Sequence, residues 1–170
     1  MNIAETERLV ISKFSIEDAG FYFKLLNTPN WIKYIGDRNV KTIKEAEDYL
    51  ANGILKSYSE LGFGFYKLQL KTNNTIIGTC GIIKRDTLEV PDFGFAFLPD
   101  FERQGYGYEA SVAILNFIKA SLNFNKLFAI TLPNNIRSIS LLEKLGFNYQ
   151  KRVKPFEDEV ELLLFAKPLD

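Results

Sequence analysis

The chain has 170 residues, enough for one domain with a substantial core, and its 46% hydrophobic content includes 15 phenylalanines, which predicts an aromatic-rich interior. Basic and acidic residues cancel at 21 each, so a general nucleic-acid or polyanion binder is not expected. There is no histidine, which excludes Ser-His-Asp and Cys-His catalytic centres and the common imidazole-bearing zinc sites.

In chain order, residues 8–14 read as a first strand. Ser15 follows as an N-cap with Asp18 at the capping-box position; Phe21, Leu25 and Leu26 give that helix an apolar face, and Pro29 is expected to end it. Thr42 caps a second helix, with Glu45 in its capping box and an apolar stripe at Ile43, Ala46, Leu50, Ile54 and Leu61. Residues 63–70 and 76–83 form two strands about the turn 72–75, and residues 90–98 alternate as another. The next helix carries Ala110, Ala113, Ile114, Phe117, Ile118 and Leu122 on one face and begins near Gly105 or Gly107. A short strand at 127–131 leads to Pro133-Asn-Asn135, which opens a helix through Ile139, Leu142 and Leu145 that Gly146 ends. Strands at 147–152 and 159–166 close the chain. The order β-α-α-β-β-β-α-β-α-β-β predicts a single α+β domain over 1–170, with an antiparallel meander in front and βαβ character behind.

The junction from Leu98 to Ala110 is the most informative stretch. A helix start leaves backbone N–H groups without partners, and the aligned peptide dipoles make it positive. Gly105 and Gly107 let an anion approach those amides, so the junction suits a phosphate or pyrophosphate; the alternative is a tight turn and nothing more. Residues 105–110 match the G-x-G-x-x-G/A dinucleotide fingerprint, but the next strand ends Ile130-Thr131-Leu132 without the carboxylate that would hold a ribose. A P-loop fails because no Gly-Lys-Ser/Thr follows.

Three signals carry a resemblance: Gly94 through Leu98-Pro99 to Gln104-Gly-Tyr-Gly-Tyr-Glu-Ala110; Asn135-Ile-Arg-Ser138 followed by Leu141-Leu-Glu-Lys-Leu-Gly-Phe147; and Thr6-Glu-Arg-Leu9 before the first strand. In order and spacing the chain resembles the GNAT superfamily of acyl-CoA N-acyltransferases, and within it the RimJ/RimL-like group that acetylates protein N-termini. The resemblance implies a central mixed, largely antiparallel sheet of six to seven strands, flanked by helices and splayed where two parallel strands diverge. Acetyl-CoA would lie in that cleft as acetyl donor, and no metal is implied. Its pyrophosphate would rest on the backbone of Arg103, Gln104, Gly105, Tyr106, Gly107 and Tyr108. Its pantetheine arm would run beside Phe97 and Leu98, and Asn135 and Ser138 would meet it from the next helix. Two positions depart from the family: Glu102 stands where Gln or Arg is usual, with Arg103 as a substitute charge, and Leu142 replaces the tyrosine that protonates the leaving thiolate.

Cys80 lies in an alternating strand and reads as a packed core thiol, which leaves direct attack of a neutral amine on the thioester. A main-chain N–H near Leu98 would serve the oxyanion. RimL-like members place a serine one turn before the lost tyrosine, so Ser138 is the candidate acid, against a reading in which it bonds the cofactor or its own backbone. Asp92 is the candidate base; it shares a strand face with Gly94, Ala96 and Leu98, opposite Phe93, Phe95 and Phe97. Glu89 is a second candidate, and a solvated edge carboxylate is the alternative for both. An α-amine titrates near about 7.7–8.0 and a lysine near about 10.4, which favours an N-terminal acceptor. Trp31, Tyr34, Tyr49 and Tyr58 are candidate walls of the acceptor site or core residues. The acceptor is a protein N-terminus or a small amine, and the rival reading is a CoA-binding module that lost its chemistry, for which Leu142 speaks. No nucleic acid or membrane partner is expected. A lone cysteine and the lack of any signal-like or spanning apolar run favour the cytoplasm; many members of the family pair as homodimers, and the sequence leaves the oligomeric state open.

Overall fold

A computed structural model of the chain describes residues 2–170. Eight strands form one sheet: β1 (Asn2–Glu5), β2 (Leu9–Ser12), β3 (Phe65–Leu70), β4 (Ile76–Ile83), β5 (Asp92–Phe97), β6 (Lys126–Thr131), β7 (Asn148–Val153) and β8 (Leu162–Pro168). Their spatial order is β1-β2-β3-β4-β5-β6-β8-β7. All neighbours run antiparallel except β5 and β6. Six helices accompany them: α1 (Ala19–Leu26), α2 (Pro29–Tyr34), α3 (Ile43–Leu50), α4 (Lys56–Leu61), α5 (Tyr106–Ser121) and α6 (Ile136–Lys144). A π-helical stretch, Ala51–Leu55, makes α3 and α4 one continuous rod that Gly62 ends at φ +80°.

Alternation along the strands divides the interior into two apolar layers. Ile114 and Ile118 of α5, Leu142 of α6, Phe93 and Phe147 pack on one face of the sheet. Tyr22, Leu25, Trp31 and Leu50 from α1, α2 and α3 build the other, together with Leu98. Cys80 lies wholly buried in the first layer with Sγ 3.7 Å from Ser111 Oγ, and burial pushes its thiol up to about 12, so it is a core thiol and no nucleophile.

Two expectations from the sequence need correction. The sheet has eight strands, because residues 2–5 pair with β2; that short segment carries no apolar alternation to announce it. The expectation for Pro29 is incomplete: α1 does stop before it, at Leu26, but Pro29 also opens α2, where its missing N–H falls on a helix position that has no intrahelical partner. The Thr28 hydroxyl accepts from Trp31 N–H and caps this new helix. Boundaries move elsewhere by a few residues. The last strand starts at Leu162 because the turn before it holds Glu159 at φ +56°.

Candidate active site

β5 and β6 touch through one register pair, Asp92 opposite Phe128, with Phe128 N–H donating to Pro91 O at 3.0 Å. Beyond it the strands part. β4 satisfies one edge of β5 and β8 satisfies the far edge of β6, so the edge of β5 from Phe93 to Phe97 faces an opening rather than a strand. A cavity of about 820 Å³ occupies that opening.

At one end of the cavity the chain leaves β5 through Leu98 and a 3₁₀ turn, Pro99–Phe101, before α5 begins at Tyr106. Arg103 at φ +61° and Gly105 at φ +84° adopt left-handed conformations on either side of Gln104. This bent loop delivers the chain to the N-terminus of a sixteen-residue helix, whose first amides have no intrahelical acceptor. Gly105 is needed for its φ. At Gly107 a packing reason is visible: a Cβ there would lie 3.1 Å from Leu141 Cδ2 and 3.6 Å from the Phe97 ring, so the glycine lets α5 pack closely on α6 and β5.

The loop is bolted in place from the N-terminal segment. Thr6 Oγ1 donates to Glu109 Oε2 at 2.5 Å, Arg8 N–H donates to the same oxygen at 3.0 Å, and Arg8 Nε donates to Oε1 at 2.8 Å. Burial alone would raise the Glu109 carboxyl, but these bonds and the charge of Arg8 hold it below the usual range. The Arg8 guanidinium also lies over the Tyr106 ring, 4.0 Å from its centroid.

Eight of the residues singled out from the sequence line the one cavity: Asp92, Phe97, Arg103, Gly105, Gly107, Tyr108, Asn135 and Ser138. Three have side chains elsewhere. Leu98 is 5% exposed and points into the second core layer, Gln104 Nε2 donates to Asp100 O at 2.6 Å, and Tyr106 lies under Arg8. Gln104 and Tyr106 keep only their main chain for the cleft, and Leu98 keeps neither group, since its N–H donates to Ile77 O at 2.9 Å and its O accepts from Phe101 N–H at 3.0 Å. Asn135 caps α6, its Oδ1 accepting from Ser138 N–H, which fixes the first turn carrying Ser138. Leu142 is buried beneath it at 2% exposure.

Asp92 is not the solvated carboxylate its strand-end position allowed. It is 3% exposed and accepts from Arg85 Nε at 2.8 Å. Burial raises its carboxyl to about 6 despite the pull of Arg85. Glu89 is exposed, 3.8 Å from Lys126, and away from the cavity. Trp31, Tyr34 and Tyr49 line the far half, whereas Tyr58 is engaged by the backbone, donating to Phe65 O and accepting from Phe14 N–H. Sequence reasoning passed over Asn30, Arg85 and Arg137. Asn30 and Arg137 contribute through Glu102, distant in sequence, and Arg85 reaches Asp92 across the loop between β4 and β5, so no helix or strand period marks them. Among the described residues, no group of three or more His, Cys, Asp or Glu side chains could hold a metal ion, and no helix is long and apolar enough to cross a membrane.

A mixed sheet opened between two parallel strands, with a left-handed loop and a helix start at the rim of the opening, is the frame of an acetyltransferase domain. The chain belongs to the GNAT acetyltransferase family, whose domain model, Acetyltransferase (GNAT) domain, matches residues 8–148. It is 26% identical over 159 residues to the uncharacterised N-acetyltransferase p20 of Bacillus licheniformis, covering 92% of this chain and 88% of that one. Its fold is similar to that of RimL, a ribosomal L7/L12 α-N-protein acetyltransferase solved with coenzyme A, at TM-score 0.84 and 13% identity over 99% and 98% of the two chains. It is also similar to a spermidine N-acetyltransferase SpeG chimera from Vibrio cholerae and hSSAT, at TM-score 0.77 and 15% identity over 95% of each chain. The chain is thus an acetyltransferase of the GNAT type.

Proposed function

We propose that the chain moves an acetyl group from acetyl-CoA to a primary amine, and that the acceptor is the α-amine of a protein or peptide N-terminus. The observation that carries this reading is the unpaired edge of β5 running into the left-handed loop and the start of α5. Main-chain groups on that edge suit an amide-bearing arm, and the helix start suits a diphosphate. A neutral chain can bind a polyanion this way because the donors are backbone amides.

In this reading the main chain of residues 103–108 holds the diphosphate, the open edge of β5 up to Phe97 holds the pantetheine arm, and Asn135 and Ser138 complete the site from α6. Acetyl-CoA supplies an acetyl thioester. A neutral amine attacks its carbonyl directly, and an unpaired main-chain N–H on the open edge of β5 stabilises the oxyanion, because the Leu98 N–H expected for this task is taken by Ile77 O at 2.9 Å. Asp92 accepts the proton from the amine, directly or through water; its raised pKa suits a base working near neutrality. Ser138, part-buried on the cavity wall, relays a proton from solvent to the CoA thiolate released as the C–S bond breaks, in place of the absent tyrosine at Leu142, and ends with its own hydroxyl protonated.

The structural likeness to RimL speaks for an N-terminal acceptor, and the likeness to the spermidine enzyme is why small amines stay in the test. A cytoplasmic location and a homodimer belong to the same reading; sedimentation measures the second. Thermal unfolding with acetyl-CoA, CoA and NAD in parallel tests the donor: at 100 times its dissociation constant a ligand adds about 2.7 kcal/mol. Both CoA species should stabilise and NAD should not; stabilisation by NAD alone would overturn the reading. Acetyl transfer to N-terminal peptides and to spermidine, followed by mass, then separates the acceptor classes. Binding of CoA with no transfer to any amine would favour the non-catalytic module.

A further inference from the structure

Glu102 is out of place in a diphosphate cradle. It sits directly before Arg103, where charge complementarity asks for a cation or a neutral amide, and it carries a carboxylate. Yet the carboxylate is engaged on both sides of the cavity mouth. Asn30 Nδ2, in the first turn of α2, donates to both of its oxygens at 3.1 Å. Arg137 Nη2, in the first turn of α6, donates to Oε2 at 2.9 Å. The Glu102 side chain is 22% exposed, so these bonds are partly shielded.

The element on the far end of this link is thinly held. α2 has six residues and buries one of them, Trp31; Ile32, Lys33 and Ile35 at its end are exposed. It nevertheless supplies Trp31, Lys33 and Tyr34 to the half of the cavity away from the cradle. Among the described residues, the side-chain hydrogen bonds between α2 and the cradle loop are those of the pair Asn30–Glu102. We infer that Glu102 is a positioning residue: it straps the acceptor-side helix α2 to the donor cradle, so that donor bound at the cradle firms the acceptor wall. The donor side is that of the proposed function, on which this inference rests, and the acceptor side is the part of the cavity lined by Trp31, Tyr34 and Tyr49. The strap also explains the retained carboxylate, since Arg137 offsets its charge and keeps other guanidinium donors free for phosphate.

Amide hydrogen exchange of residues 29–34, in the free protein and with saturating CoA, tests this on Asn30→Ala, Glu102→Ala, Glu102→Gln and the double alanine variant. In the free protein either alanine variant should speed α2 exchange about five- to tenfold, the double variant should add nothing further, and Glu102→Gln, which keeps an acceptor oxygen, should retain most of the protection. With CoA, α2 should slow in the native chain, while in Asn30→Ala only the cradle should slow. Calorimetry should show CoA binding more tightly to Glu102→Gln, by an amount that shrinks with salt, and within about twofold of native in Asn30→Ala. Unchanged α2 exchange in the free alanine variants, additive effects, or equal CoA protection of α2 in Asn30→Ala would each overturn the strap. Failure of CoA to bind the native chain would instead overturn the donor-site reading, and the free-protein exchange would still decide whether the strap exists.

Discussion

At Asp92, two opposing effects meet on one carboxylate. Burial raises its pKa to about 6 from an ordinary 3.8, and Arg85 at 2.8 Å pulls the other way without restoring it. Between those values the folded chain binds more protons than the unfolded one. The contribution of Asp92 to stability is therefore full below about pH 4 and is lost as pH rises through about 6. Activity should run opposite, since a base works ionised. Asp92→Asn should lower turnover about a hundredfold and remove the acidic limb near pH 6 from the kcat/KM profile. The same variant should flatten the dependence of melting temperature on pH between about 4 and 6. A native-like rate profile in the variant would dismiss Asp92 as the base. The residue type and its strand face were readable in the sequence. Its ionic partner was not, because Arg85 reaches it only after the loop between β4 and β5 folds back.

The cradle shows the same division at the scale of an element. Gly105 was legible as a helix-start glycine, and its φ of +84° gives the reason. Gly105→Ala should cost about 1–2 kcal/mol in urea unfolding, from the left-handed conformation alone, and weaken CoA binding by distorting the loop. Gly107→Ala needs only a few tenths of an ångström from the flexible Leu141 tip, so it should cost less; equal costs at the two positions would contradict this account. The clamp that seats α5 was visible only as an unexplained Thr6-Glu-Arg-Leu9. Glu109→Ala strips Thr6, the Arg8 amide and the Arg8 guanidinium of a shared acceptor, and should destabilise by about 2 kcal/mol. It should also weaken CoA binding without touching the cleft, because Glu109 lies in the first turn of α5; full affinity in the variant would separate clamp from cradle. The second role of Pro29 was hidden because proline halts a helix from inside and favours its first position equally well, and only the Thr28 cap reveals α2.

Across the whole molecule, two apolar layers share one sheet, and neither could bury its strands without the other. The chain should therefore unfold in a single transition. Trp31, the sole tryptophan, reports on the layer beneath α1 and α3, while far-ultraviolet circular dichroism reports on all elements. Coincident denaturant curves from the two probes are expected; a separate fluorescence transition would show that the layer unfolds alone and would break the single-domain reading.

The sequence by itself determined the helices and strands with strong periodicity, the glycine-bearing cradle, the cap at Asn135 and the stop at Gly146, because each is written in residues a few positions apart. It also excluded histidine chemistry outright. Tertiary structure decided what those pieces face. The strand β1 exists only by pairing with β2, the opening between β5 and β6 exists only because their contact ends at Asp92, and Glu102 meets Asn30 across 72 positions. Such partners are fixed by the path of the backbone through space, and local propensity carries no record of that path.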